Sequence, residues 1–174
     1  MLAFLPFFAC TNTKQEKKVL PTHQRMPGDP DWLFFEKENT ALMQYVDSIT
    51  AVYPNYEGNH IVQREISKEF GKKLDAFPKL LCGSSFRFSA MSEINGRTCV
   101  AFICNETGVD VWCMNYDKNE ALKLDKNKIY ELTDYTIDHF ERNDDDMGSH
   151  FLSLGDVYVS SLKVKELAPP PADE

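Results

Sequence analysis

With 174 residues, the chain is long enough for one domain with a hydrophobic core and a short accessory element, and too short for two full domains. Its 43% hydrophobic content and twelve phenylalanines exclude an intrinsically disordered protein, because such chains lack the apolar surface for a core. The net charge of −8 makes nucleic acid an unfavourable partner, since affinity for phosphates depends largely on lysine and arginine.

The first ten residues, MLAFLPFFAC, are typical of the end of an export signal. Leu2 to Phe8 form an apolar run, Ala9 is a small residue that lets a peptidase approach the backbone, and Cys10 follows it. The motif FFAC resembles the lipobox of bacterial lipoproteins, and this resemblance implies a lipid linked through a thioether to Cys10. Residues 1–9 then form a signal-like segment. The alternative is a frayed apolar terminus with a free thiol.

The signal-like segment is short for an export signal. Signal peptides have about 15–30 residues and begin with a basic region, whereas no Lys or Arg precedes this apolar run and Phe7 stands where lipoboxes more often carry Leu. We therefore expect that an upstream piece is missing. Acyl chains on Cys10, at about 0.8 kcal/mol per buried methylene, would anchor the protein durably.

A polar tether is predicted over residues 10–28, which are mostly polar and show no apolar period. A helical segment is predicted over residues 29–78. Asp29 and Pro30 are typical of an N-cap and a first helical position, so we expect the first helix to begin there.

The helical segment carries two apolar stripes at helical spacing, separated by the helix breakers Pro54 and Gly58. The first stripe comprises Leu42, Tyr45, Val46, Ile49, Val52 and Tyr53. A second helix is predicted to start at Asn59 and to end before Pro78. Its stripe comprises Val62, Ile66, Phe70 and Leu74. Both stripes are predicted to be packing faces.

From residue 79 to 167, apolar and polar residues alternate with a period of two, as in β-strands. FRFSAM alternates, Asn95 and Gly96 predict a hairpin turn, and RTCVAFIC predicts the second strand. VDVWCMNY predicts a third strand, and DKNEALKLDKNK predicts one helical turn and a tight loop. IYELTDYTIDHF and FLSLGDVYVSSLKVKEL predict two longer strands, followed by a disordered tail at residues 168–174.

Five strands in this order, with a small helix after the third, resemble the oligonucleotide/oligosaccharide-binding (OB) fold. The segment VDVWCMNYDKNEALKLDKNKIYELTDYTIDHF is similar to the OB pattern of a strand, a polar turn and a strand, and FLSLGDVYVSSLKV resembles the closing strand. The chain is similar in particular to the tRNA-anticodon-like OB domains of small bacterial envelope proteins. The resemblance implies an α+β fold, with two N-terminal helices packed on a five-stranded OB-like Greek-key β-barrel over residues 79–167. It implies no tRNA binding in an acidic, secreted member.

Four cysteines follow Cys10, namely Cys82, Cys99, Cys104 and Cys113. In an exported protein they could pair in three ways, and the strand register decides which of them share a face with Cys113. Their spacing does not match a zinc site. Buried free cysteines are the favoured interpretation, and one disulfide is the alternative.

The segment HFERNDDDMGSH carries His139, His150 and the three acids Asp144, Asp145 and Asp146. A calcium loop needs a Glu at its twelfth position, and counting from Asp144 leads to Gly155. A solvated loop is therefore predicted, with no metal and no cofactor.

Arg87 and Trp112 are the candidate ligand-binding residues. OB folds bind ligands on strands two and three and on the flanking loops. If Phe86 and Phe88 point inward, Arg87 points outward, and the same alternation places Trp112 outward. The two would then form a recognition pair. The alternative is that Trp112 packs under a helix.

No catalytic motif is present: G-x-S-x-G, G-x-G-x-x-G and the P-loop are all missing from the sequence. We therefore predict a non-enzymatic lipoprotein of the cell envelope, anchored by lipid in the outer membrane and facing the periplasm. Its OB-like domain would be a binding or assembly module with an envelope protein as partner. The alternatives are a nucleic-acid-binding OB domain and a small-ligand or glycan binder.

Overall fold

The computed structural model describes residues 26–30, 33, 35, 40–104, 107–142 and 152–168. Several predictions fall outside these ranges: the signal-like segment and Cys10, most of the tether, the acids at 144–146 with His150, and the tail after residue 168. Within them, the elements are α1 (Ala41–Val52), α2 (His60–Ala76), β1 (Ser85–Ile94), β2 (Arg97–Cys104), β3 (Val109–Cys113), α3 (Lys118–Ala121), β4 (Ile129–Glu141) and β5 (Gly155–Leu167).

Helix α1 begins later than predicted. Its N-cap is Thr40, whose side chain accepts a hydrogen bond from the N–H of Met43 at 3.4 Å. Asp29 instead takes part in a turn, where its carboxylate accepts the N–H of Met26 at 2.8 Å. The prediction that α1 starts at Asp29 is therefore wrong, because the capping side chain there serves a turn rather than the helix.

The predicted buried stripes are largely confirmed. Asn59 caps α2, where it accepts the N–H of Val62 at 3.3 Å, and α2 ends before Pro78 as predicted. The buried residues of the two helices are Leu42, Met43, Val46, Ile49, Gln63, Ile66, Ser67, Phe70 and Leu74. Val52 departs from the prediction: it is the last residue of α1 and is 70% exposed. None of the helices described is long and apolar enough to cross a membrane.

The five strands form one mixed sheet that closes on itself in the order β1-β2-β3-β5-β4, with β4 paired back to β1. Every pairing is antiparallel except that of β3 with β5, which is parallel. The predicted β1–β2 hairpin is confirmed, and its turn residues Asn95 and Gly96 both have positive φ, as a type I′ turn requires. The α+β class and the five predicted strands are thus confirmed.

Helix α2 packs against one end of the closed sheet. The Ser67 hydroxyl donates a hydrogen bond of 2.7 Å to the carbonyl of Leu154, and the ring of Phe70 meets Phe140 edge-on at 5.4 Å. Gly71 permits this approach, because a Cβ atom there would lie 2.9 Å from the Phe140 ring. Helix α1 packs on α2 through Tyr45, whose ring lies 6.0 Å from that of Phe70. The helices and the sheet share one hydrophobic core.

The four described cysteines are free thiols. Cys113 lies opposite Val100, so Cys104 shares its inward face and Cys99 points to the other side of β2. Cys104 is four residues along β2 from Val100, a distance of about 13 Å, which is too long for a disulfide. The register therefore explains why Cys104 and Cys113 form no disulfide.

Candidate ligand-binding face

Arg87 and Trp112 both point outward, as alternation predicts. Phe86 and Phe88 are buried on either side of Arg87, and Trp112 lies half-buried between two fully buried neighbours. The structure does not bring the two together. Arg87 is level with Asp110, through Ile103 on β2, and Trp112 lies two residues further along β3. Their Cα atoms are therefore on the order of 12 Å apart across the sheet, and a ligand shared by the two would have to span that distance.

Trp112 instead belongs to a row of three rings, which we call the aromatic row: Trp112, Tyr158 and His139. Tyr158 lies opposite Trp112 in the β3–β5 pairing, and His139 lies opposite Tyr158 in the β4–β5 pairing. The Trp112 and Tyr158 rings are stacked with centroids 6.5 Å apart and planes 19° apart. The Tyr158 and His139 rings are stacked at 4.4 Å and 4°. Trp112 therefore packs against Tyr158 of the neighbouring strand.

A second row on the same face consists of carboxylates, and we call it the acidic row: Asp110, Asp156 and Glu141. Asp110 lies opposite Asp156, and Asp156 lies opposite Glu141. Each acid is two residues from a ring of the aromatic row on its own strand. Since residues two apart point to the same side of a strand, the two rows share one surface.

Burial and mutual repulsion raise the pKa values of carboxyl groups in the acidic row. Burial raises the pKa of Asp110 to about 6, and the negative charge of Asp156 adds to the rise. Burial also raises the pKa of Asp156, with a further increase from Glu141. In the part of the chain that the structure describes, no Lys or Arg forms a salt bridge with Asp110 or Asp156.

The two rows interact with each other. The indole of Trp112 faces the Asp156 carboxylate and partly offsets the rise of its pKa, although the buried Nε1 atom has no partner in hydrogen-bonding geometry. The His139 Nε2 atom lies 3.5 Å from Oε1 of Glu141. Burial, Asp156 and Glu141 raise the pKa of Tyr158, which keeps its hydroxyl protonated at neutral pH.

Sequence reasoning found only part of this face. Alternation along β3 predicts that Trp112 points outward. The sequence draws attention to His139 only as a neighbour of the acidic loop, and Tyr158 is not among the predicted site residues. The alternation of buried Val157 and Val159 around Tyr158 was a usable signal for an outward ring. No comparable signal shows that β5 lies beside β3. Among the described residues, no three His, Cys, Asp or Glu side chains are placed to hold a metal ion.

A groove between α1 and α2 is a second surface feature. It has a volume of about 440 Å³ and is lined by Tyr45, Ile49, Val52, Tyr53, Glu69, Lys72, Lys73 and Ala76. The Tyr45 hydroxyl is buried without a hydrogen-bond partner, and burial raises its pKa to about 12, helped by Glu69. The Lys73 ammonium lies 4.0 Å from the centre of the exposed Phe77 ring. Nothing in the structure shows what would occupy this groove.

Comparison of the chain with protein families, with curated proteins and with solved structures found no match. The face chemistry and the strand order are therefore the basis for assigning a function.

Proposed function

We propose that the protein is a non-catalytic binding module of the cell envelope, anchored by a lipid on Cys10, which recognises a protein partner through the aromatic row. The fold proposed for this module is an OB-like Greek-key β-barrel. Its support is the strand order β1-β2-β3-β5-β4, the β1–β2 hairpin, the parallel β3–β5 pairing and the single-turn helix α3 between β3 and β4.

The observation that carries this proposal is the stack of three rings on the outer face of a closed sheet. The rings are not in the core, since the side chains of the same strands that point inward fill it. The His139 side chain is 54% exposed, so the end of the stack is open to solvent. OB domains bind ligands on the face of strands two and three and on flanking loops that include the β4–β5 connection. Here Trp112 lies on β3, and Asp156 and His139 flank the β4–β5 connection.

The acidic row argues against a nucleic-acid ligand. Aromatic rings on an OB face would stack bases, but such sites also need cations that follow the phosphate backbone. Here the residues beside the rings are carboxylates, which repel phosphates. A glycan binder is the second candidate, because sugar rings pack on aromatic side chains and their hydroxyls donate hydrogen bonds to carboxylates.

The membrane anchor is tested by metabolic labelling with an alkyne fatty acid. We expect the wild-type chain to be labelled and to sediment with membranes, and Cys10→Ser to lose both properties. An unlabelled wild-type chain, expressed with its native start, would contradict the anchor.

The binding face is tested by photo-crosslinking in cells. A photoreactive residue at Ser160, which is exposed on β5 two positions after Tyr158, is expected to yield a discrete protein adduct. The same residue at the exposed Asp75 of α2 is expected to yield none. Loss of the adduct in Trp112→Ala supports the face as the contact. An adduct that is unchanged by Trp112→Ala, or equal at both positions, would contradict it.

A further inference from the structure

Resting on the proposed function, we infer that the partner presents a basic polypeptide segment whose arginine side chains lie over the aromatic row and pair with the acidic row. Three features of the face support this chemistry: the facing carboxylates of Asp110 and Asp156, their distance from the rings and the open shape of the face.

Asp110 and Asp156 stand at opposing positions of neighbouring strands, and both are half-buried. Other described carboxylates lie within salt-bridge distance of lysines, for example Asp134 near Lys79, Glu120 near Lys123 and Glu131 near Lys165. Among the described residues, no Lys or Arg forms a salt bridge with Asp110 or Asp156. Two half-buried like charges destabilise each other, and a cation supplied from outside would relieve that repulsion.

The spacing of the two rows suits a guanidinium group. Ring and acid positions on one strand are separated by about 7 Å, so a side chain lying across a ring can reach the carboxylate beside it. Arginine stacks on aromatic faces and pairs with carboxylates through two parallel hydrogen bonds, whereas the lysine ammonium acts as a point charge. Because Tyr158 is stacked between Trp112 and His139, the ring face for a guanidinium is the one at the Trp112 end of the row, where the small Ala101 lies opposite on β2 and Asp110 lies two residues away.

The shape of the face favours a polypeptide over a small enclosed cation. The rows lie on the outer surface of three adjacent strands, and small ligands are mostly held in concave pockets that cover them. One pocket lined by described residues lies away from this face, between α1 and α2. An extended segment that crosses the three strands has alternate side chains about 7 Å apart, so two of them fit within the roughly 10 Å that the three strands span.

The test uses the full chain carrying Trp32→Phe, so that fluorescence reports Trp112 alone. The probe is an acetylated and amidated Gly/Ser peptide with arginine at three alternate positions. Matched peptides replace arginine by uncharged citrulline or by lysine. We expect the arginine peptide to change the Trp112 fluorescence and to bind about tenfold more tightly than the citrulline peptide, with weaker binding of the lysine peptide.

Two double variants separate the acidic row from general charge. Asp110→Asn with Asp156→Asn keeps the side-chain shape, and we expect it to weaken arginine-peptide binding by about tenfold or more. Asp47→Asn with Asp75→Asn makes the same change of charge on exposed positions of α1 and α2, and we expect unchanged binding. Circular dichroism and thermal melting verify that both variants are folded.

Each other outcome overturns the inference. Equal binding of the citrulline peptide removes the role of charge, equal binding of the lysine peptide removes the stacked guanidinium, and equal loss in both double variants indicates a non-specific charge effect. If no peptide binds while the Ser160 crosslink persists and depends on Trp112, the arginine inference fails and the binding module stands. If both the peptides and the crosslink fail, the proposed function falls with it.

Discussion

At the residue scale, Asp110 makes the stability of the protein sensitive to pH. Its native pKa of about 6 lies above the ordinary value of 3.8, because the carboxyl is half-buried and faces Asp156. The native state therefore holds the proton more tightly than the unfolded state. The stability that this proton confers is fully present below pH 3.8 and is lost as the pH rises through about 6. Asp156 on β5 and, beyond it, Glu141 on β4 face this site from one side, and Arg87 on β1 lies level with it on the other side, beyond Ile103 of β2.

We expect Asp110→Asn to be more stable than the wild type at pH 7.5, and the difference to vanish near pH 4. A shift of two pKa units corresponds to roughly 3 kcal/mol, and partial exposure reduces the expected gain to about 1–2 kcal/mol. Urea unfolding at a series of pH values measures it. Asp75→Asn, an exposed change on α2, serves as control. A gain that stays constant from pH 4 to pH 8 would contradict this explanation.

The cysteine side chains give a second prediction at this scale. Cys99, Cys104 and Cys113 are buried, and Cys82 is half-buried with a pKa raised by burial against the opposing effect of Lys79. In Cys10→Ser at pH 8 we expect only Cys82 to react with a thiol reagent, and slowly, because little of it is thiolate. All four thiols should react after unfolding, and mass spectrometry identifies the sites. Rapid labelling of Cys99 in the native protein would contradict the strand packing.

At the element scale, capping chemistry alone did not determine where α1 begins. Asp29 and Thr40 are both good N-cap residues. Thr40 is followed at once by residues that enter the core, beginning with Leu42, whereas the described Leu33 after Asp29 is exposed. Because helical stability in proteins comes mainly from packing of the apolar face, the helix forms where that packing begins. The strands were easier to predict, since each combines alternation with a turn signal such as Asn95-Gly96.

The close contact between α2 and the sheet determines how a substitution at Gly71 changes stability. Replacing a glycine within a helix by alanine normally adds up to about 1 kcal/mol of stability. At Gly71 we expect the opposite sign, because the new methyl group would lie 2.9 Å from the Phe140 ring. Thermal or urea unfolding measures the change. Phe140→Leu should make Gly71→Ala less harmful, and additive effects of the two substitutions would show that this contact is not the cause.

At the scale of the whole molecule, the closed sheet creates a face that no local pattern could predict. Trp112, His139 and Tyr158 lie on three strands, and they meet because β3 pairs in parallel with β5 and β5 pairs with β4. Alternation fixes the side to which each residue points, but the pairing of strands far apart in the chain depends on the tertiary fold. For the same reason the sequence predicts the outward orientation of Arg87 and Trp112 correctly but not the separation between them.

The net charge of the molecule determines its expected affinity for nucleic acid. With a net charge of −8 and an acidic row beside the rings, the protein should not bind labelled single-stranded oligonucleotides at micromolar concentration, even at low salt. Asp156→Lys with Glu141→Lys would place cations beside Tyr158 and His139, and we expect this variant to gain weak affinity that falls as salt is added. Asp47→Lys with Asp75→Lys, remote from the rings, should gain less. Fluorescence anisotropy measures the binding of all three proteins. Salt-sensitive binding by the wild type would contradict the proposed partner. The rings would then stack bases despite the adjacent carboxylates, and the face would bind a nucleic acid rather than a basic polypeptide.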